Sequence, residues 1–138
     1  MTTRTLLASV LLVPTLMLSA CASGPTAETE ITGVTWVADN IGGTPALPDG
    51  EVTLVFNLDG SSGGKSGCNS YGAGYKRKGD ALTFEQAMST QMFCAPDALM
   101  AQEHAYLNLL PQVTGFERTG DKLKLNTPDK SILFHAKQ

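Results

Sequence analysis

The chain has 138 residues, and its ten Lys and Arg against 13 Asp and Glu give a formal net charge of −3 at pH 7. This acidic balance argues against a nucleic-acid partner, which calls for a basic stripe on the protein. The length suffices for one domain with a single hydrophobic core and excludes two.

Residues 1–20 are predicted to be a targeting segment. Arg4 is their only charged residue, and an apolar run follows from 6 to 18. This run is shorter than the roughly 20 residues of a membrane-spanning helix. It ends in "LSAC", residues 18–21, which resembles the lipobox of bacterial lipoproteins, where the signal is cut before the cysteine and the thiol is acylated. The resemblance implies a lipid on Cys21. A plain secretory signal cut after Ala20 is the alternative.

The lipobox resemblance also implies a location. Because Ala22 is not aspartate, it implies export to the outer membrane, facing the periplasm, if the host has two membranes. Cleavage removes 20 of the 138 residues and leaves 118, whose nine basic and 13 acidic side chains sum to −4. Residues 21–33 are mostly small and polar and predict a lipidated, flexible tether. The folded domain is then expected to span 34–138.

Five short strands are predicted in the first half of this domain, at 35–38, 51–58, 65–71, 74–77 and 81–84. Trp36, in the first of them, is expected to anchor the hydrophobic core, where its N–H finds a buried partner. A tryptophan that stacks on a ligand is the alternative. The basic cluster at 76–78 is interpreted as the tip of a solvated hairpin.

The run "GKS" at 64–66 raises the question of a phosphate-binding loop. Such a loop needs a glycine at position 59 and a helix after residue 66, but this chain has Asp59 at the first of these positions. Gly67, Gly72 and Gly74 follow, and each costs about 1 kcal/mol in a helix relative to alanine. The sequence therefore predicts a turn at 59–64 between two strands and no nucleotide site.

One helix is predicted from 95 to 110. Pro96 and Asp97 suit its first turn, and it should stop before Pro111. Glu103 lies inside an apolar stripe whose members recur at spacings of three and four: Leu99, Met100, Tyr106, Leu107 and Leu110. Because burying a carboxylate is costly unless it accepts hydrogen bonds, we expect Glu103 to be buried and bonded to neighbouring strands. Asn69 is expected to be a second structural polar residue. A Glu103 that reaches the edge of the helix is the alternative.

Three further strands are predicted after the helix, at 113–118, 122–126 and 132–136, separated by strong turn sequences. The element order is thus five strands, one helix and three strands. We expect a mainly β fold in which an antiparallel meander forms a half-barrel around the single amphipathic helix. That arrangement hides the apolar stripe of the helix against the inner face of the sheet.

Cys68 and Cys94 are the cysteines that remain beside Cys21. An exported protein meets oxidising conditions, so this pair is a candidate for one disulfide. A nucleophilic Cys68 would need activation by His104 or His135, and neither lies in a recognisable catalytic signature. The cysteine and histidine spacings do not match a zinc site, and 59–70 lacks the carboxylates of a calcium loop. We therefore expect no catalytic, cofactor-binding or metal-binding residues.

Several pieces of the sequence together resemble the META domain family, which includes the lipoproteins related to the heat-shock protein HslJ. They are Thr35-Trp36, the run 53–56 with Asp59-Gly60, Gly67-Cys68-Asn69 with Tyr71 and Tyr75, the run 90–94, Glu103 and Leu110. The resemblance covers about 33–136. It implies a β-rich, half-barrel-like fold with one packed helix. It also implies an envelope lipoprotein linked to heat shock and antibiotic tolerance, without established catalytic activity.

We therefore expect a monomeric, non-enzymatic lipoprotein that binds an envelope component and supports envelope integrity or stress tolerance. The alternative is an inhibitor or small-ligand carrier that uses the curled sheet. The two hypotheses differ in the interior of the fold. An apolar cavity of about 300 Å³ or more between sheet and helix favours the carrier, whereas a filled interior favours a protein-facing surface.

Overall fold

The computed structural model describes residues 30–138, so the expected signal peptide, Cys21 and the tether up to residue 29 lie outside the described residues. Ten strands and one α-helix follow one another in this part of the chain. Helix α1 (Asp97–Leu109) continues into a short 3-10 turn, Leu110–Gln112. The strands are β1 (Thr35–Ile41), β2 (Thr44–Pro45), β3 (Thr53–Phe56), β4 (Ser61–Lys65), β5 (Ser70–Lys78), β6 (Ala81–Phe84), β7 (Met88–Ser89), β8 (Gly115–Thr119), β9 (Lys122–Asn126) and β10 (Ser131–Ala136).

Eight strands form a closed antiparallel barrel in the order β1, β3, β4, β5, β6, β8, β9, β10. The barrel closes because β1 pairs along both edges: Trp36 lies opposite Leu54 of β3 and opposite Ala136 of β10. The predicted half-barrel is therefore wrong. A half-barrel would leave unpaired backbone groups along two open edges, and closure of the twisted sheet removes both edges. The two-residue strands β2 and β7 pair with β1 and β5 beside this ring.

Side chains fill the interior of the barrel. The largest of those that are fully buried are Trp36, Tyr106, Phe56 and Phe134. The Trp36 indole donates to the Ile31 carbonyl oxygen (3.1 Å), and Ile31 is itself fully buried. Residues 30–33, which were expected to belong to the tether, are thus part of the folded domain, because the apolar side chain of Ile31 closes the core beside Trp36.

The glycine-rich stretch folds differently from the prediction. The turn after β3 ends at residue 60, β4 occupies 61–65, and 66–69 form the next turn, whereas the sequence predicted a turn at 59–64 and a strand at 65–71. The glycines of β4 meet a steric need, since a Cβ on Gly64 would lie 2.4 Å from the carbonyl oxygen of Thr53. Gly64 thus allows β3 and β4 to approach closely, and Gly63 does the same for β4 and β5. The prediction of a turn did not include this role.

Replacing Gly64 by alanine is expected to lower the free energy of unfolding by about 2 kcal/mol, because the added methyl group must push β3 and β4 apart. Gly72 offers a matched control in the neighbouring strand. A Cβ there would lie 3.7 Å from its nearest neighbour, Ser62 O, so Gly72→Ala should change stability by less than about 0.5 kcal/mol. Urea unfolding of both variants measures the difference. Equal losses would contradict the steric argument.

Helix α1 packs on the connections at one end of the barrel. The Gln102 side chain donates to the Gly50 carbonyl (2.7 Å) and accepts from the Leu47 amide (2.6 Å), both in the loop between β2 and β3. Tyr106 reaches the interior, where its ring contacts that of Phe134.

We call the end of the barrel that carries α1 and the turn 66–69 the helix end. Because β4 runs from one end to the other, the turn 57–60 and residues 30–33 lie at the opposite end, which we call the tether end. No helix within residues 30–138 combines the length and apolar character needed to cross a membrane.

Candidate functional site

A buried carboxylate joins α1 to the turn between β4 and β5. Glu103 is 3% exposed. Its Oε2 accepts hydrogen bonds from the Ser66 hydroxyl (2.8 Å) and the Asn69 amide N–H (2.8 Å), and its Oε1 accepts one from Asn69 Nδ2 (2.7 Å). The apolar stripe brings Glu103 to the barrel, and the turn 66–69 supplies the donors. The carboxylate does not reach the edge of the helix.

The donors around Glu103 decide its charge state. Burial by itself raises the pKa of the Glu103 carboxyl. The hydrogen bonds donated by the Asn69 main chain and side chain and by Ser66 outweigh burial and hold the pKa below its ordinary value. The carboxylate is therefore ionised at neutral pH, and its negative charge is stabilised by hydrogen bonds in the way expected of a buried charge.

Asn69 connects this carboxylate to the segment that precedes α1. Its Nδ2 donates to Glu103 and to the Met92 carbonyl (3.0 Å). Its Oδ1 accepts from the Thr90 hydroxyl (2.8 Å) and the Met92 amide N–H (2.7 Å). Both donors and both acceptor positions of the amide are thus satisfied. One side chain therefore fixes the backbone at Met92 and the carboxylate of α1 at the same time.

A disulfide adds a covalent link at the same place. Cys68 and Cys94 are bonded, with their Cα atoms 5.8 Å apart. We call residues 86–94 the strap; the disulfide and Asn69 fasten its second half to the turn 66–69, and β7 pairs its first half with β5. A disulfide sulfur has no thiolate, so a nucleophilic Cys68 is not available in this state, whatever the positions of the two histidines.

A cleft of about 400 Å³ lies between the strap and α1. Asn69 and Glu103 form its polar floor, and His104 and Leu107 belong to the helical wall. Two large apolar side chains of the cleft stand out from the strap into solvent: Met92 is 58% exposed and Phe93 78%. Met88, 81% exposed, is also on the strap but does not line the cleft. A polar floor whose hydrogen bonds are internal, beside apolar side chains that are not covered, is an arrangement suited to docking a partner.

A second depression, of about 300 Å³, lies on the other side of α1. Its walls are apolar or uncharged: Ile41, Thr44, Pro45 and Leu47 from the barrel side, and Ala98, Ala101, Gln102 and Ala105 from the helix. We call it the alanine groove. It reaches the volume expected for a carrier, but it is open to solvent and lies outside the barrel, whose interior is filled.

The remaining sequence-predicted residues lie apart from the strap cleft or contribute no chemistry there. Trp36 is fully buried in the barrel. His135 is on β10, where its Nδ1 lies 2.6 Å from Asp39 Oδ1. Among residues 30–138, no group of three or more His, Cys, Asp or Glu side chains could hold a metal ion.

The sequence did not predict the strap, nor the roles of Ser66, which donates to Glu103, and of Thr90 within the strap, which donates to Asn69. The segment 85–94 has neither a helical nor an alternating apolar pattern, so no element could be predicted for it. The run 90–94 contributed to the family resemblance, and the apolar pair Met92-Phe93 stands directly before a cysteine, but neither feature predicts a conformation. Sequence alone does not show whether such a pair is buried or exposed.

Comparisons with known proteins agree with this architecture. A family model described as META domain matches residues 29–138. A solved NMR structure of a protein from Burkholderia xenovorans is similar, with 24% identity, 99% of each chain covered and a TM-score of 0.65. Another NMR structure has 19% identity, covers 76% of this chain and 90% of its own, and has a TM-score of 0.63. A crystal structure of a DUF4847 family protein from Bacteroides vulgatus has 14% identity, covers 77% and 93%, and has a TM-score of 0.53. At these identities the likeness shows the fold alone. No curated protein matches the chain.

Proposed function

The chain belongs to the META domain family, and we propose that its barrel is a non-enzymatic binding module held at a membrane of the cell envelope by a lipid on Cys21. In this proposal the strap cleft binds another envelope protein, and the complex supports envelope integrity under stress. In a host with two membranes the anchor is in the outer membrane and the domain faces the periplasm. The observation that carries the proposal is a filled barrel beside a cleft with two exposed apolar side chains, Met92 and Phe93.

The exposed side chains belong to a segment whose backbone is held in place. Both backbone polar groups of Met92 are bonded to Asn69, and Phe93 is followed directly by the disulfide-bonded Cys94. The apolar side chains are thus presented by a backbone that is already fixed, so binding a partner costs little further conformational entropy. Methionine side chains adapt to irregular partner surfaces. A protein surface is therefore a more suitable occupant than a small ligand.

A photo-crosslinking amino acid at position 93, in the full chain in intact cells, tests this docking surface. We expect one adduct of defined mass, whose partner is then identified, and we expect it to disappear when Met92, which lines the cleft, is replaced by serine. The same amino acid at position 129, in the turn between β9 and β10, is the control and should not give that adduct. Identical adducts from both positions, or none from position 93, would argue against the strap cleft.

The anchor is tested separately by mass spectrometry of the mature chain extracted from membranes. An amino-terminal peptide that begins at Cys21 and carries acyl chains supports the anchor. A mature chain that begins at residue 21 with an unmodified cysteine would instead support the plain secretory signal and remove the membrane attachment.

The alanine groove favours a second function, a carrier of a small apolar ligand. Its volume of about 300 Å³ lies at the lower limit of ligand pockets, and its walls carry no charged side chain. Native mass spectrometry of the purified protein decides this point. A stoichiometric small molecule, lost on Ala101→Phe substitution, would favour the carrier over the protein-binding module.

A further inference from the structure

The chain enters the domain at the tether end of the barrel, beside the turn between β3 and β4. Thr32 forms a parallel bridge with Phe56, and the Gly33 amide donates to the Phe56 carbonyl oxygen (3.1 Å). Ile31 is buried in the core. Residue 30 is therefore held next to the turn 57–60, and whatever precedes it starts from this end.

Leu58 stands at the tip of that turn with 91% of its surface exposed. The turn itself is well bonded. Asp59 Oδ1 accepts a hydrogen bond from the Ser61 amide N–H (2.9 Å), and the Asn57 amide N–H donates to the Ser61 carbonyl oxygen (2.9 Å). The Tyr75 hydroxyl donates to the Asn57 carbonyl oxygen (2.7 Å). The exposure of Leu58 thus comes from a turn that these hydrogen bonds hold in place.

The length of chain between Cys21 and residue 30 limits how far this end can be from a membrane. Nine Cα–Cα steps separate the two positions, so at most about 30 Å of extended chain joins them. Given the lipid on Cys21, on which this inference rests, the tether end stays within that distance of the bilayer. A tethered group has a high effective concentration, so one leucine can engage lipid although it would bind weakly on its own.

Charge does not provide an alternative attraction at this end. Lys76, Arg77 and Lys78 lie on the hairpin that reaches it. Asp59 and Asp80 occupy the neighbouring turns, and Lys76 is paired with Glu85 (3.6 Å). The Arg77 guanidinium lies over the Phe116 ring, 4.7 Å from its centroid, and its charge acts on the nearby Glu30 carboxylate. Opposite charges so close together leave little net field for anionic lipids. Apolar contact through Leu58 is the interaction that remains.

We propose that the tether end rests on the bilayer and that Leu58 inserts into its interfacial region. The nine residues of β5 connect the two ends and span about 30 Å. The strap cleft consequently faces away from the lipid and toward partners in the surrounding compartment. The domain is then oriented by two contacts, the acyl chains on Cys21 and the leucine.

Tryptophan fluorescence on vesicles tests this orientation. The single native tryptophan, Trp36, is fully buried and supplies a constant background. Leu58→Trp places a second indole at the tether end, and Phe93→Trp places one at the helix end as a matched control. Both native residues are largely exposed, so both variants should fold. With acylated protein on phosphatidylcholine vesicles, brominated lipids should quench the added Leu58→Trp emission at least twofold and leave that of Phe93→Trp unchanged.

The outcomes separate this inference from the anchor itself. Acylation of each sample is checked by mass, and a chain that lacks it is coupled through Cys21 to a maleimide phospholipid, so the fluorescence test proceeds either way. An unquenched Leu58→Trp on membrane-bound protein, or equal quenching of both variants, overturns the proposed orientation. So does a quenching that requires phosphatidylglycerol in the vesicles, because charge rather than Leu58 would then hold this end.

Discussion

Replacing Glu103 by alanine is expected to lower the free energy of unfolding by about 3 kcal/mol or more. The substitution leaves the Asn69 backbone N–H and one Nδ2 hydrogen without their acceptor in a buried site, while the Ser66 hydroxyl keeps the Asn69 carbonyl oxygen at 3.0 Å. Hydrogen bonds to a charged group contribute about 1.5–3 kcal/mol each. Glu103→Gln should cost about 2 kcal/mol, because the NH₂ of glutamine must face one of these donors. Urea unfolding at pH 7 measures both losses.

Glu117 is a matched control, because it has the same side chain as Glu103 and a similar hydrogen-bond partner but is exposed to solvent. Its exposed carboxylate also accepts a hydrogen bond from an asparagine side chain, that of Asn126 (2.9 Å). Glu117→Gln should leave unfolding unchanged within the error of the measurement, because solvent replaces the lost interaction. If Glu103→Gln is equally silent, the buried carboxylate does not stabilise the fold in its charged form.

The same network predicts an acid dependence with a definite sign. The folded-state pKa of Glu103 lies below its ordinary value, so the unfolded chain binds a proton more readily than the folded one. The stabilisation is therefore complete above the unfolded pKa of about 4.3 and is lost as the pH falls through the folded pKa. The stability difference between wild type and Glu103→Gln should be constant from pH 6 to 8 and shrink below about pH 4. A difference that grows on acidification would contradict this account.

Removing the disulfide is expected to cost about 3–4 kcal/mol. Cys68 and Cys94 are 26 residues apart, and a cross-link that closes a loop of this length restricts the unfolded chain by roughly that amount. Unfolding is compared between the oxidised protein and the Cys68→Ala, Cys94→Ala double variant. A reductant should destabilise the wild type to the level of the double variant and leave the double variant unchanged. Two alkylatable thiols at 68 and 94 in the denatured, unreduced protein would show that the bridge is absent.

These two changes act on one structure, so their effects should not add. Glu103 and Cys68 both hold the turn 66–69, and Cys94 and Asn69 both hold the strap. Residues in one network commonly show coupling energies of about 0.5–3 kcal/mol. A triple variant that lacks both the carboxylate and the disulfide therefore measures how far each link depends on the other.

The sequence by itself determined the features that depend on local pattern. The helix predicted at 95–110, observed as Asp97–Leu109, and the last three strands followed from the apolar period and from turn residues. These report which face of an element is apolar and where the chain must turn. The position of Glu103 inside the apolar stripe pointed to a buried carboxylate. The number of cysteines, together with the export expected from residues 1–20, pointed to the Cys68–Cys94 pair. Each of these inferences needs only neighbours along the chain or a count.

Only the tertiary structure decided what depends on distant neighbours. Closure of the barrel joins Trp36 to Ala136, and no local pattern states which edge a strand will meet. Gly63 and Gly64 of β4 were predicted to form a turn because the groups that require glycine there, the Tyr71 and Thr53 carbonyl oxygens, lie on other strands. Leu58 and Phe93 are residue types that usually lie in a hydrophobic core, yet both are exposed. The type of an apolar residue does not show whether its side chain is buried or exposed. The packing of the rest of the chain decides this.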